Sequence, residues 1–137
     1  MAKSKLNELV GDIEDALDKA TARFLFNTQG KLIKRAPVDS GRFASSWFIG
    51  KDQPDLSVAY ERPKGAADVK RTKYTGPIKF EGVWYISNNL PYAERVSLDP
   101  KWAKGGDGGA AWFTTIVNNL DRDAKRTFTY YLKRTGQ

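Results

Sequence analysis

The side chains that could carry catalysis are few in this sequence and are spread along it. The 137 residues include no histidine and no cysteine. This composition excludes Ser-His and Cys-His nucleophilic arrangements and thiolate metal sites, and it removes the usual general base. The candidate carboxylates are scattered without the spacing of a catalytic pair: Asp39, Glu61, Glu81, Glu94 and Asp99. We therefore expect no enzymatic activity, no metal and no cofactor.

Two further patterns could indicate chemistry, and neither matches a known motif. Ser40, Ser45 and Ser46 lack the Gly-x-Ser-x-Gly context of a nucleophile elbow. The glycines of residues 104–109 match neither the P-loop nor the dinucleotide fingerprint, so we interpret residues 98–109 as a glycine-rich joint. An Asp/Glu/Lys nuclease centre stays an open alternative, although no group of residues converges on it.

The strongest concentration of charge lies in residues 62–79, which hold six basic residues and one acid, a net charge of +5. Loops longer than about 12–15 residues in a compact domain are usually functional or disordered. Two interpretations stay open: a solvated loop, or an arm that contacts a neighbouring subunit or nucleic acid. The candidate contact residues of this arm are Arg62, Lys64, Lys70, Arg71, Lys73, Tyr74 and Lys79.

Whole-chain composition agrees with a globular protein. Hydrophobic residues make up 40% and aromatic residues 12% of the chain, which predicts one domain over residues 1–137. The net charge of +7 suits an acidic or nucleic-acid partner, and it also suits simple solubility. No apolar run approaches the roughly 20 residues of a membrane helix, and the N-terminus lacks an apolar signal core, so we expect a cytoplasmic protein without a membrane partner.

The elements that would position these residues begin with a long amphipathic helix over residues 4–34. Its apolar residues recur at steps of four and three: Leu6, Val10, Ile13, Leu17, Ala20 and Phe24. Such a stripe indicates either a coiled-coil seam or a helix that lies across a sheet. We favour the second interpretation because the heptads do not persist. Because glycine has low helix propensity, an earlier end of this helix near Gly30 stays an open alternative.

A hinge then separates this helix from a region rich in predicted strands. Pro37 cannot continue a helix, and the Asp39-Ser40-Gly41 sequence favours a turn. An apolar run that starts at Phe43 and ends with residues 47–49 predicts the first strand. Residues 56–60 predict the second strand and residues 83–87 the third, because apolar residues alternate there.

Two helices complete the predicted order of elements. Pro91 suits the first position of a short helix over residues 91–96, which follows a turn at Asn88 and Asn89. A final helix over residues 110–133 has an apolar stripe at Trp112, Ile116, Leu120, Ala124, Phe128 and Tyr131.

Two motifs give the chain a family resemblance. Residues 36–43, together with Ser45, Ser46 and Trp47, resemble the "aPVDTGrLr-S" signature of tailed-phage tail completion and neck proteins, which are similar to lambda minor tail protein Z. Residues 86–95 resemble the family's second signature, "I-x-N-x-x-x-Y-A", although the glycine-rich residues that follow depart from its pattern. The motif residues are Pro37, Asp39, Gly41, Trp47, Asn88, Pro91 and Tyr92.

The resemblance implies a structural protein of the virion neck or tail. Its fold would be α+β: a long N-terminal helix, a small, mainly antiparallel sheet and a C-terminal helix packed on the sheet. Family likeness further implies a homo-oligomeric ring, typically hexameric, around the DNA channel, assembled in the host cytoplasm. The implied partners are copies of the chain, neck, connector and tail-tube proteins, and DNA by loose contact. The alternative function is a nucleic-acid-binding module that uses the 62–79 arm.

Overall fold

The elements follow one another in the order helix, hinge, sheet and helices. A computed structural model describes residues 2–37, 41–59, 69, 71–99, 101 and 111–135. In those ranges the helices and strands are α1 (Ala2–Arg35), α2 (Arg42–Ser45), β1 (Phe48–Lys51), β2 (Trp84–Ser87), α3 (Ala93–Leu98), α4 (Trp112–Asn118) and α5 (Leu120–Leu132). The predicted α+β class is confirmed, and the fold is mostly helical.

Helix α1 forms where the apolar stripe predicts it, over almost the predicted residues 4–34, and the alternative of an end near Gly30 is not followed. It continues to Arg35, and the amide of Ala36 still donates to the carbonyl of Leu32 at 3.1 Å. A glycine inside a helix costs only about 1 kcal/mol. Burial of Leu32 and Ala36 in the core is enough to offset that cost. Pro37, which has no N–H to donate, then prevents further helix.

The hinge contains a helical turn where the sequence predicts the beginning of a strand. Gly41 has φ of 89°, a left-handed conformation that glycine adopts without strain, and α2 begins directly after it. The turn satisfies its own polar groups, since the Ser45 amide donates to the Gly41 carbonyl and the Ser46 hydroxyl to that of Arg42. The predicted first strand is therefore shorter than expected and starts at Phe48.

The sheet described by the structure has two strands. β1 and β2 pair antiparallel, with Phe48 opposite Ser87 and Lys51 opposite Trp84. The third predicted strand is thus confirmed as β2, whereas the second, at residues 56–60, is wrong for its described part, 56–59. Side chains bind the backbone there in place of a neighbouring strand: the Ser46 hydroxyl accepts from the Ala59 amide, and Asn89 donates to the Leu56 carbonyl.

The C-terminal helix is divided at Asn119 into α4 and α5, which corrects the prediction of one helix over residues 110–133. The two halves of the stripe have different partners. Trp112 and Ile116 are buried in the core beside α3, whereas α5 packs mainly along α1 and lines a groove with Trp84 of β2. The short predicted helix is confirmed, but it forms at Ala93–Leu98 rather than at 91–96.

The core joins the end of α1 to α2, α3 and α4. Its buried residues are Leu32, Ala36, Phe43, Ala44, Trp47, Leu90, Val96, Trp112 and Ile116. Helix α1 packs chiefly against α5 and only to a small extent against β1. The expectation that α1 lies across the sheet is therefore corrected. Helix α5 covers most of the face of α1 that we expected to pack on the sheet.

Candidate interaction surfaces

The two sequence motifs meet in space, and they do so inside the fold. The Asn88 side-chain amide donates to the Phe43 carbonyl at 2.9 Å, and its oxygen accepts from the Leu90 amide at 3.2 Å. The rings of Phe43 and Tyr92 lie 6.3 Å apart. Asn88 thus fixes the end of β2 against α2, and the pair of motifs joins the hinge to the sheet.

Trp47 of the first motif belongs to an aromatic cluster. Its ring contacts Phe43 at 5.7 Å and Trp112 at 6.2 Å edge to face, and it stacks on Phe113 at 6.1 Å. Such ring pairs stabilise beyond the area they bury. Pro37 and Gly41 are also buried, whereas Pro91 is exposed and Asp39 lies outside the described residues. The described buried motif residues therefore hold the hinge in place rather than form an open binding site.

The described end of the basic segment is attached to α1 through Arg71 and Gln29. The Arg71 guanidinium donates to the Phe26 carbonyl at 2.5 Å and to the Gln29 side-chain oxygen at 3.1 Å. The Gln29 amide group donates to the carbonyls of Trp47 and Thr72, at 2.9 and 3.0 Å. Gln29 is fully buried, and nothing in its local sequence distinguishes it from an exposed helical glutamine.

Residues 71–80 then run antiparallel to α1, from Gln29 back to Asp18. At the far end Asp18 accepts from the Phe80 amide at 2.8 Å and forms an ion pair with Lys79 at 3.4 Å. Tyr74 packs edge to face on Trp84, with the ring centroids 5.3 Å apart. This segment is therefore held along the body of the protein.

The predicted contact residues of the arm fall into different environments. Arg71 and Tyr74 bind their own chain, Lys79 combines its ion pair with a half-exposed side chain, and Lys73 is exposed. Arg62, Lys64 and Lys70 lie outside the described residues. A contact of these residues with a subunit or with DNA stays a prediction.

An apolar groove lies beside this segment, between α1, residues 80–84 and α5. It has a volume of about 500 Å³, and its lining includes Phe24, Leu25, Phe80, Trp84 and Phe128. The rings of Phe80 and Phe128 meet at 5.5 Å at one side of it. Phe80 itself is 57% exposed, so the groove presents aromatic surface to the exterior.

The N-terminal part of α1 carries a second apolar surface, which we call the α1 stripe: Leu6, Leu9, Val10 and Ile13. These side chains are 36–60% exposed. Leu6, Val10 and Ile13 belong to the apolar repeat that the sequence predicts, and there they were expected to pack within the chain. The structure places burial only from Ala16 onward, because α5 ends beside that part of α1.

Several ionisable groups of the described residues form ion pairs. No group of three or more His, Cys, Asp or Glu side chains there could hold a metal. The Lys31 ammonium lies 2.6 Å from Asp123, and its hydrogen bond holds the pKa of that carboxyl below its ordinary value. The Lys51 pKa is raised by its hydrogen bond to Glu81. Within the described ranges, the helices are too short or too polar to cross a membrane.

Comparison with known proteins gives one family and one curated relative. The model of the HK97-gp10-like family, described as "Bacteriophage HK97-gp10, putative tail-component", matches residues 2–85. Beta-glucosidase 1B of Phanerodontia chrysosporium is 35% identical over 88 residues, which are 62% of this chain but only 15% of that protein. No solved structure matches the chain. The family match spans α1, the hinge, β1 and the start of β2, and so the chain belongs to the HK97-gp10-like family of bacteriophage tail components.

Proposed function

We propose that this chain is a non-enzymatic structural subunit of the virion, which forms a ring that completes the tail or joins it to the head. Membership of the tail-component family is the observation that carries the proposal. The partly buried contact between the two motifs supports it, because Asn88 and Phe43 fix the hinge that connects α1 to the sheet. A ring subunit needs such a fixed angle, since a small angular error per subunit prevents closure.

The dimensions of α1 also support an assembly role. Its 34 residues span roughly 51 Å at 1.5 Å per residue, whereas the 13 residues of α5 span only about 20 Å. A helix that extends past its own body can offer surface to a neighbour. The partners that we propose are copies of the chain in a hexameric ring, connector and tail-tube proteins, and DNA in the central channel.

The absence of catalysis is part of this proposal. Glycoside hydrolysis needs two carboxyl groups on either side of one bond. The match to beta-glucosidase 1B covers too little of that protein to transfer its activity.

The proposal is tested in the phage whose genome encodes this chain. We expect peptides of the chain in purified virions, at several copies per particle, and we expect a deletion to yield full heads and tails that do not join. Averaged electron micrographs of the neck would then lack density that wild-type particles have. Absence of the chain from purified virions would contradict the proposal.

A second candidate function, a nucleic-acid-binding module, rests on the charge of residues 62–79 and on the exposure of Lys73. Binding of this kind weakens steeply with salt, because phosphate contacts release counterions. We expect a fluorescently labelled duplex to bind more weakly to a variant in which Lys64, Lys70 and Lys73 are changed to alanine. Equal affinity of the variant and the wild-type chain would exclude the arm as a DNA contact.

A further inference from the structure

The charges of α1 are divided between its two halves. Residues 5–18 hold five acids and one lysine, a net charge of −4, whereas residues 19–35 hold five basic residues and no acid, a net charge of +5. The helix dipole favours cations only within the last turn of a helix, so it accounts for Lys34 and Arg35 but not for the other basic residues. The basic half of α1 is therefore a candidate for contact with an anion.

A pocket lies on this half of α1, where the Arg71 side chain reaches the helix, and we call it the Arg71 pocket. It has a volume of about 590 Å³, and its charged lining residues are all basic: Lys31, Lys34, Arg35 and Arg71. Lys31 is balanced by Asp123, at 2.6 Å. The other three are exposed and form no ion pair with an acid in the ranges that the structure describes. Three positive charges around one pocket repel one another unless an anion lies between them.

The Arg71 guanidinium has a fixed orientation at this pocket. Its Nε donates to the Gln29 side-chain oxygen at 3.1 Å, and its Nη2 donates to the Phe26 carbonyl at 2.5 Å. The third nitrogen, Nη1, lies beside Gly30, where the absence of a side chain leaves space: a β-carbon there would lie 3.6 Å from Nη1. An arginine that is oriented in this way loses little side-chain entropy when it binds an oxyanion.

The Arg71 pocket also joins the two most basic stretches of the chain. Residues 19–35 supply the α1 side of the pocket, and Arg71 belongs to residues 62–79, whose net charge is +5. Lys73, two positions further along, is exposed. Positive charge that continues from one stretch to the other suits a ligand with repeated negative charges rather than a single carboxylate. Duplex DNA is such a ligand, with one charge for roughly every 1.7 Å of its axis, and arginine binds phosphate oxygens with paired donors.

A second basic surface, on α5, lacks these properties. Its pocket is lined by Lys125, Arg126, Lys133 and Arg134 together with two uncharged residues, all from α5 or the residues directly after it. The Arg134 guanidinium is turned back on its own helix, since it lies 3.5 Å from the centroid of the Tyr130 ring and donates to the carbonyl of that residue. The α5 surface is therefore the natural comparison for the Arg71 pocket.

We propose that the Arg71 pocket binds the phosphate backbone of duplex DNA, with the oriented guanidinium of Arg71 and the side chains of Lys34 and Arg35 contacting phosphate oxygens. This inference rests on the proposed contact with DNA and names the site on the body of the protein that makes it. Contacts with phosphate carry no base-sequence information, which suits DNA of any sequence in a central channel.

Fluorescence anisotropy with a short labelled duplex tests the site in the full chain. We expect Lys34→Gln with Arg35→Gln to raise the Kd by roughly tenfold or more, and to lower the slope of log Kd against log salt concentration by about 1–2, because each phosphate contact releases about one counterion. The matched control is Lys125→Gln with Arg126→Gln, which removes the same Lys-Arg pair from α5 and should change the Kd less than about twofold. A loss in the control as large as that in the test variant, or larger, would overturn the proposal.

A conservative substitution tests the orientation of the guanidinium. Arg71→Lys keeps the positive charge but removes the paired donors. We expect it to raise the Kd by about threefold or more and to leave the salt slope unchanged, since the number of phosphate contacts made by cations stays the same. An unchanged Kd would exclude the oriented guanidinium from the site.

Two further measurements separate the ligand from the proposed function. Poly-glutamate with as many charges as the duplex should displace the DNA only weakly, because its charges are less dense; equal competition would assign the pocket to an acidic protein segment instead. If the wild-type chain and the Lys34→Gln, Arg35→Gln variant bind the duplex equally well, the contact with DNA stands and this pocket is excluded. If the wild-type chain binds no duplex even at low salt, the contact with DNA fails and the site fails with it.

Discussion

At the scale of single residues, the side-chain amide of Gln29 joins three separate parts of the chain. It links α1 to the carbonyl that precedes β1 and to residues 71 and 72. All of these bonds are made by a side chain with no exposed surface. Sequence could not reveal this role, because glutamine is an ordinary helix former and the partners of Gln29 are 18 to 43 positions away.

We expect Gln29→Met to destabilise the protein by about 2 kcal/mol. Methionine fills a similar volume but leaves the buried Trp47 carbonyl without the Gln29 donor, and a lost bond of this kind costs about 1–3 kcal/mol. The bonds of Gln29 to Arg71 and Thr72 reach exposed residues, where water can replace them. Urea unfolding followed by tryptophan fluorescence measures the change. Asn27→Ala, on the exposed side of the same helix turn, is the control and should stay within about 0.5 kcal/mol. Equal stability of the two variants would show that water satisfies these groups.

Gly41 is a residue whose role the sequence did reveal. The turn predicted there needs a backbone that glycine adopts freely, and its φ is 89°. We expect Gly41→Ala to lower the free energy of unfolding by about 1–2 kcal/mol, because a β-carbon is strained in that conformation. Gly11→Ala, inside α1 and with open space around the new carbon, should instead raise stability by up to about 1 kcal/mol. Thermal unfolding of the two variants checks the opposite signs, and a stable Gly41→Ala would contradict the turn.

At the scale of elements, the sequence predicted what repeats over a long distance. The stripe of α1 and the alternation of β2 were sufficient to place both elements. The prediction of secondary structure failed where a few side-chain contacts decide whether a strand or helix forms. Asn89 and Ser46 hold residues 56–59 without a strand, and the C-terminal helix is interrupted at Asn119, where the apolar face of α4 enters the core beside α3 and that of α5 packs along α1. Such bonds depend on residues that are distant in sequence.

The contact between α1 and α5 includes the ion pair of Lys31 and Asp123, which predicts a pH-dependent stability. The pKa of Asp123 is lower in the folded protein than in the unfolded chain, chiefly through the hydrogen bond from Lys31. The pair therefore stabilises the fold above the unfolded pKa of about 4, and this contribution is lost as the pH falls through the folded pKa.

We expect Lys31→Met to lower stability by about 1 kcal/mol at pH 7 and by less near pH 3, because the contribution of the pair falls once the pH is below the unfolded pKa of about 4. Thermal unfolding at the two pH values measures the difference. Lys51→Met removes the more exposed pair with Glu81 and should leave stability at pH 7 nearly unchanged. A Lys31→Met effect of the same size at both pH values would indicate lost packing of the lysine stem rather than a lost charge.

At the scale of the whole molecule, the motifs and the apolar periodicity carry different information. The motifs indicate the family, and the periodicity indicates an apolar surface on α1. The motif residues 36–47 lie within the family match to residues 2–85, and the bond between Asn88 and Phe43 joins them in the structure to the second motif, residues 86–95. The stripe was visible in the sequence, but whether its residues face the protein's own core or a neighbour depends on where α5 ends. The position of the end of α5 beside α1 depends on the break at Asn119 and on the three-dimensional path of the chain.

The part of α1 that extends beyond the body should be the least stable part of the helix in an isolated subunit. Helical segments shorter than about 12–15 residues are marginal in water without tertiary contacts, and Leu6, Leu9 and Val10 have few such contacts. We expect amide hydrogens of residues 6–12 to exchange at least tenfold faster than those of residues 24–34 in dilute protein. On assembly the exchange of residues 6–12 should slow by a similar factor, because packing against a neighbour then opposes local unfolding. Hydrogen-exchange mass spectrometry at two protein concentrations measures both changes, with residues 112–118 of α4 as the internal control. Full protection of residues 6–12 in the monomer would mean that this segment is stable without a partner.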